Sequence, residues 1–262
     1  MTLTNFLKRE LNALSHGRHT WYLLGLHDVK GRYRRSIIGP FWITLSSLVF
    51  VGGLGVVYSR LLNLDLEEYL PYLACGIIVW TFILNFINEG ASALIGSAHI
   101  IKQVSLPLLT HMMRVAFRNT LIFLHSWVIL IPLLLWYGYL TTYGLLCSIL
   151  GAVLVIFTLT PLTVLLAIVC ARYRDVLPMI SSALQLMFFV TPVMWFPQQL
   201  AGLTSVIKYN PFAYLIDLIR EPMLNGVFPL ASAGLVLGMG LLLWAAALAL
   251  LFTHHKQIPY WL

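Results

Sequence analysis

The chain has 262 residues, 60% of them hydrophobic and only 10% charged, with a formal net charge of +7. Soluble domains carry about 25% charged residues, so this composition excludes a water-soluble globular protein and calls for a membrane. The positive balance does not point to nucleic acid, because the basic residues stand beside apolar runs, where they orient spans in a bilayer.

Residues 1–30 are not a span. Phe6, Leu7, Leu11 and Leu14 recur at helical spacing around Lys8, Arg9 and Glu10, and Trp21, Leu24 and Leu26 follow. This predicts an amphipathic helix on the cytoplasmic leaflet, its basic residues toward anionic headgroups. No short apolar run with a small-residue cleavage site opens the chain, so the first span is expected to stay as an uncleaved anchor.

Arg32, Arg34 and Arg35 stand just before an uncharged run, Ile37–Tyr58. As a helix this run would span ~33 Å, about the thickness of the hydrocarbon core. Pro40 is tolerated in its first turn. Gly52, Gly53 and Gly55 are expected to allow close helix contact. An acidic loop with Asp65, Glu67 and Glu68 leads to span two, 70–88. Residues 89–118 are a basic internal segment broken at Pro107, with a short helix expected at 99–104. Residues 119–171 hold no charge and are long enough for two spans, 119–137 and 145–171, with a break at Tyr137–Gly144. Asp175 is the expected N-cap of span five, 176–196, and span six is 230–253. The segment 197–229 is too polar to span and too apolar for a free loop, so short re-entrant helices are expected there.

The prediction is an all-α membrane protein: one permease domain of six spans, with an N-terminal interfacial helix and both termini cytoplasmic. Of the 16 Lys and Arg, only Arg60, Lys208 and Arg220 then lie outside. That asymmetry obeys the positive-inside rule. Cys75, Cys147 and Cys170 lie in apolar runs without metal-ligand spacing and are expected to be small buried residues.

Chemistry is sparse. No Lys is followed by Ser or Thr, so there is no phosphate-binding loop. The His254-His255 pair is expected to be solvated. Spans one, three, four and six carry no Asp, Glu, Lys or Arg, which disfavours ion coupling. Energy for transport must then come from a partner ATPase.

At this point the sequence resembles a family. Arg32-Tyr33-Arg34-Arg35-Ser36-x-x-Gly39-Pro40-Phe41-Trp42 is similar to the entry signature of ABC transporter permeases that export polysaccharides, in particular the O-antigen exporters. Arg172-Tyr173-Arg174-Asp175, Thr191-Pro192-Val193-Met194-Trp195 and Tyr209-Asn210-Pro211-Phe212 continue the agreement in order. Leu106-Pro107 departs from it, since relatives often have an aromatic residue before that proline.

The resemblance implies the type-2 ABC exporter permease fold, working as a homodimer with two copies of a separate ATPase subunit in the bacterial inner membrane. The chain itself would bind no cofactor and catalyse no reaction; ATP and Mg would sit on the partner. The substrate would be a polysaccharide linked through pyrophosphate to a polyprenyl lipid. Residues 1–36 would form an inner gate, residues 97–106 would couple to the ATPase, and residues 197–229 would form a periplasmic gate.

Candidate residues carry alternatives. Arg32, Arg34 and Arg35 would bind the pyrophosphate, or serve topology alone. Trp42, Phe50, Phe188, Phe189, Trp195 and Phe196 would line a sugar channel, or pack and face lipid. His99, Lys102 and Gln103 would dock on the ATPase, or belong to a solvated loop. A permease for small molecules, drugs, capsule or teichoic acid shares the six-span plan. A membrane enzyme would need an acid, base or metal constellation, and none converges.

Overall fold

The computed structural model describes residues 5–6, 8–10, 12, 17–34, 41–198 and 204–262, and among these no strand occurs. The helices are α1 (Arg18–Tyr33), α2 (Phe41–Leu61), α3 (Leu66–Ala91), α4 (Ala93–Gly96), α5 (Ala98–Gln103) and α6 (Leu108–Trp136). Then follow α7 (Thr142–Arg172), α8 (Val176–Val190), α9 (Thr204–Tyr209), α10 (Pro211–Asn225), α11 (Leu230–His254) and α12 (Ile258–Trp261).

Helix α3 is the centre. The Asp65 carboxylate caps it by accepting from the Glu67 N–H at 3.0 Å, ahead of an acidic first turn. Fully 78% of its most apolar stretch is buried, and it packs on α2, α6, α7, α8 and α10. By contrast, α8 buries only Leu184 and lies on the rim.

Six spans were expected. Helices α3, α6, α7 and α11 are long and apolar enough to cross a bilayer, while α2 and α8 contribute shorter apolar stretches, Leu45–Leu61 and Val176–Val190. Helix α8 ends before the expected Phe196 for a local reason. Pro192 forces Thr191 into an extended conformation, φ −89° and ψ 138°, and residues 191–196 turn instead. Helix α6 starts at Leu108, so the basic segment is already helical where it carries Arg114 and Arg118. The break at Tyr137–Gly144 is where α6 gives way to α7. Gly138 takes φ 75° there, and Thr141 caps α7 by accepting from the Gly144 N–H at 3.0 Å. Asp175 occupies the N-cap of α8 but makes no side-chain capping bond.

The segment before α11 is helical and partly buried. Asn210 caps α10 by accepting from the Phe212 N–H at 3.0 Å, and Gly226 ends it at φ 65°. Helix α10 seats against α7 on a stripe of small residues. A Cβ at Gly144 or Gly151 would collide with the carbonyls of Pro222 and Leu218. Between them, Ser148 Oγ donates to the Ile219 carbonyl at 2.9 Å. The 191–196 turn is pinned by the same neighbours. Tyr69 OH donates to Met194 O at 2.7 Å, and Tyr72 OH lies 3.1 Å from Pro192 O and 3.0 Å from Trp195 O. Arg220 Nη1 donates to Pro192 O at 2.6 Å, and Asn210 Nδ2 to Thr191 Oγ1 at 2.8 Å.

Of the α2 glycines, only Gly55 makes the expected close contact, against Leu70; Gly52 and Gly53 face open space within the chain. Cys75 and Cys170 are buried, and Cys147 is half-buried.

The α7–α10 seat makes a prediction. Gly151→Ala drives a methyl into the Leu218 carbonyl and should destabilise the protein by about 1–3 kcal/mol. Gly238→Ala on α11 meets nothing within contact distance and should be neutral or stabilising by up to ~1 kcal/mol. Thermal unfolding of both variants in detergent checks the contrast.

Candidate functional site

Two ends of the bundle carry polar structure. The basic end holds α1, α5, α12, the start of α6 and the end of α3; the other end holds α9, α10 and the 191–196 turn.

At the basic end α1 docks on α6 through one stripe. Trp21, Gly25, Asp28 and Arg32 follow at four-, three- and four-residue steps, which share a helix face. Trp21 and Tyr22 contact the Phe117 ring at centroid distances of 5.6 and 5.1 Å. Gly25 lies against Phe117 and the Arg114 carbonyl, with no room for a side chain. The docking face is therefore aromatic and charged. Leu7, Leu11 and Leu14 lie outside the described residues. Phe6 is buried against Phe252 and the His255 ring, so His255 packs instead of standing in solvent.

Below that stripe lies a network of three arginines and two carboxylates. Arg114 grips Asp28 with both arms, Nε to Oδ2 at 2.7 Å and Nη2 to Oδ1 at 2.5 Å. Arg118 bridges, with Nη1 to Asp28 Oδ2 at 3.1 Å and Nη2 to Glu89 Oε2 at 2.7 Å. Asn119 Nδ2 also donates to Glu89, at 2.9 Å. Arg32 Nη2 completes the set on Glu89 Oε1 at 2.7 Å. Burial alone would raise the Asp28 carboxyl; the bonds and charges of Arg114 and Arg118 overcome it and hold Asp28 below the usual carboxylate range.

Arg32 also borders a cavity of about 220 Å³ between α2, α3 and α6. Ser47, Thr81, Asn85, Asn119 and Ser126 line it. These neutral hydrogen-bonding groups share the wall with Ile77, Ile78, Phe82, Ile122 and Phe123, so the cavity suits a ligand with both a polar and an apolar part, with the Arg32 guanidinium at its edge. Arg34 is exposed, and Arg35 lies outside the described residues.

The six aromatics divide. Trp42 and Phe50 on α2 and Phe189 on α8 are 58, 55 and 73% exposed, as a surface completed by lipid or a second chain would be. Phe188 packs on Trp80 at 5.8 Å, Trp195 Nε1 donates to Phe189 O, and Phe196 lies 4.3 Å from the Tyr72 ring. The last three are thus held in place at the α10 end.

His99, Lys102 and Gln103 are exposed on α5, on one face by their spacing. Beside them lies a second cavity, of about 370 Å³, bordered by Arg9, Lys102, Gln103, His255 and Lys256. At its base Glu10 Oε2 accepts from the Leu109 N–H at 3.0 Å, at the positive end of α6. Burial pushes the Glu10 carboxyl above its ordinary value, with the Leu109 bond and nearby Arg9 opposing.

Asp28, Glu89, Arg114 and Arg118 were not singled out as a set by the sequence. Arg114 and Arg118 share a helix face, and so do Asp28 and Arg32. Their partnership across 86 to 90 residues of chain has no local signature.

Asp28 should hold α1 in place. Asp28→Asn leaves Arg114 without its anionic partner and should loosen α1 by about 1–3 kcal/mol, read as faster amide exchange across residues 18–33. Because the folded carboxyl titrates below the ordinary value of 3.8, its contribution is complete above that pH and is lost only as pH falls through the folded value. Exchange in α1 of the unaltered protein should therefore not respond to Asp28 between pH 5 and 8.

Comparison with known proteins bears on the whole arrangement. Two proteins of Klebsiella pneumoniae, each named O-antigen export system permease protein RfbA, are similar to it. One is 25% identical over 226 residues and the other 22% over 228, each alignment covering 85% of this chain and 87% of the relative. The protein of that name from Myxococcus xanthus is 26% identical over 235 residues, covering 84% of this chain and 86% of its own. The model of the ABC-2 type transporter family matches residues 20–224, which takes in the docking stripe, the arginine–carboxylate network and nearly all of α10. The chain belongs to the ABC-2 type transporter family.

Proposed function

We propose that this chain is the transmembrane subunit of an ATP-driven exporter that moves a lipid-pyrophosphate-linked polysaccharide of O-antigen type across the bacterial inner membrane. The observation that carries the reading is the match, over more than four-fifths of the chain, to three relatives named for O-antigen export. The basic end supports it independently. Three guanidinium groups face two carboxylates there, so the cluster keeps a positive surplus beside a cavity lined by neutral polar and apolar groups. A pyrophosphate dianion fits that surplus, and Arg32, the most exposed member, is the one able to exchange Glu89 for substrate.

The finer features follow from the same reading. Six spans, counting the shorter α2 and α8, place both termini on the cytoplasmic side, and α9 with α10 re-enters from the periplasm. Two copies of the chain meet across α2 and α8, whose large exposed apolar residues face neither the core nor one another's helices. Between them runs the conduit, with Trp42, Phe50 and Phe189 offering apolar faces to a sliding polymer and Phe188, Trp195 and Phe196 framing its far mouth. The exposed face of α5, with His99, Lys102 and Gln103, docks on a separate ATPase. That subunit supplies ATP hydrolysis, since the chain has no phosphate-binding loop.

Arg32→Lys in the producing strain tests substrate recognition. Lysine keeps the charge needed for orientation and can still meet Glu89, but loses the planar fork. Surface glycan should fall roughly tenfold, as expected for one charge-assisted bond, with the protein inserted normally. Undiminished glycan would leave Arg32 a topological role only. Purified without its partner, the chain should neither bind nor hydrolyse ATP; sustained hydrolysis by the clean polypeptide would contradict the assignment.

A further inference from the structure

At the α10 end, opposite the arginine–carboxylate network, a cavity of about 550 Å³ opens between α3, α10 and the turns beside them. This is within the ~300–1,000 Å³ range of small-ligand sites. Its wall presents carboxylates of two helices, Glu68 from α3 with Asp217 and Glu221 from α10. Asp217 and Glu221 are four residues apart and share a face of α10. Three aromatic rings, Tyr72, Tyr139 and Phe196, line the same space.

The wall is held rigid. Arg220 is 2% exposed and borders the cavity. Its guanidinium lies 4.2 Å from the Tyr72 ring centroid and donates to Asp217 Oδ1 at 2.8 Å. Of its three nitrogens, Nε alone finds no hydrogen-bond partner among the described residues. Phe196 lies against Tyr72 at 4.3 Å. Asp217 spends Oδ1 on Arg220 and Glu221 spends Oε2 on Asn225, so among the described residues the other oxygen of each carboxylate has no protein donor.

The chemistry of this lining selects its ligand. An anion is repelled, since three carboxylates face one arginine that is already engaged. A metal ion is poorly served, because no three Asp, Glu, His or Cys side chains among the described residues converge closely enough to hold one. An apolar ligand would strand the carboxylates. Carboxylate acceptors set apart on one wall with aromatic rings between them match a hydroxyl-rich molecule with apolar C–H faces.

We propose that this cavity binds neutral sugar residues of the exported polymer as they leave the transmembrane path. Glu221 and Asp217 accept from sugar hydroxyls, and Tyr139 packs on a ring face. The inference rests on the polysaccharide-export reading, but it concerns a separate site.

The test uses the full exporter, with its ATPase, in nanodiscs. Cys75, Cys147 and Cys170 are replaced by alanine, and Gln198→Cys, at the exposed rim of the cavity, is the reporter. The probe is polysaccharide freed from its lipid by mild acid, taken from the producing strain. Saturating glycan should slow labelling of the rim thiol by a water-soluble maleimide several-fold. Glu221→Gln and Tyr139→Ala should each raise the half-protecting glycan concentration roughly fivefold to tenfold, the cost of one hydrogen bond or one ring contact. Labelling unaffected by glycan overturns the proposal, as does equal protection in all three backgrounds. Glu221→Gln preserves side-chain shape, so a folding defect in Tyr139→Ala alone does not decide the result. Deletion of the gene in the producing strain separates the two levels. If surface glycan is lost on deletion while the rim thiol is unprotected, the cavity proposal alone fails; if surface glycan persists, the export reading fails first.

Discussion

Hydrocarbon offers a charged group no solvent, so every charge carried into the bundle must find its partner within the protein. The two ends answer that constraint with opposite surpluses. At the basic end Asp28 and Glu89 are shared among Arg32, Arg114 and Arg118. At the α10 end Arg220 is shared among Asp217, the Pro192 carbonyl and the Tyr72 ring, with Glu68 and Glu221 nearby. Single exposed ion pairs contribute little to stability, about 0–1 kcal/mol. These are part-buried and linked, so their main effect is to fix where α1 and the 191–196 turn must sit.

Between the ends, backbone contact does the holding. Gly144 and Gly151 bring α7 against α10, Gly76 brings α3 against the Val193 carbonyl, and Gly90 brings α3 against Thr163 of α7. Without a hydrophobic drive between helices in lipid, such close approach is what supplies attraction. It concentrates on α3, α7 and α10, leaving α2 and α8 on the rim with few buried residues. Displacing α2 or α8 would therefore leave this core intact.

The helical class, the membrane setting and the break at Tyr137–Gly144 were legible in the sequence because each follows from composition or from local backbone chemistry. Span ends were less so. The span expected over 176–196 stops at Val190, because the residue before Pro192 is held extended. Arg32 was picked out as a cation before a span, yet Glu89, 57 residues away, could not be recognised as its partner. The same limit hid Arg220. Asp217 lies one helical turn away in the sequence, but only the fold brings Tyr72 and the Pro192 carbonyl around the guanidinium. Exposure was also illegible: nothing in spacing separates Phe189, 73% exposed, from its neighbour Phe188, packed on Trp80.

The central claim is that this chain, with an ATPase partner, carries a lipid-linked glycan across a bilayer. Reconstitution tests it most directly. The purified complex would be placed in liposomes containing the strain's own lipid-linked polysaccharide, with ATP supplied on the ATPase side, and arrival of glycan on the opposite face read with a membrane-impermeant lectin. The account predicts lectin signal that grows with time, requires ATP and is absent when either subunit is omitted. Brisk ATP hydrolysis by a correctly assembled complex with no glycan reaching the far face would contradict it.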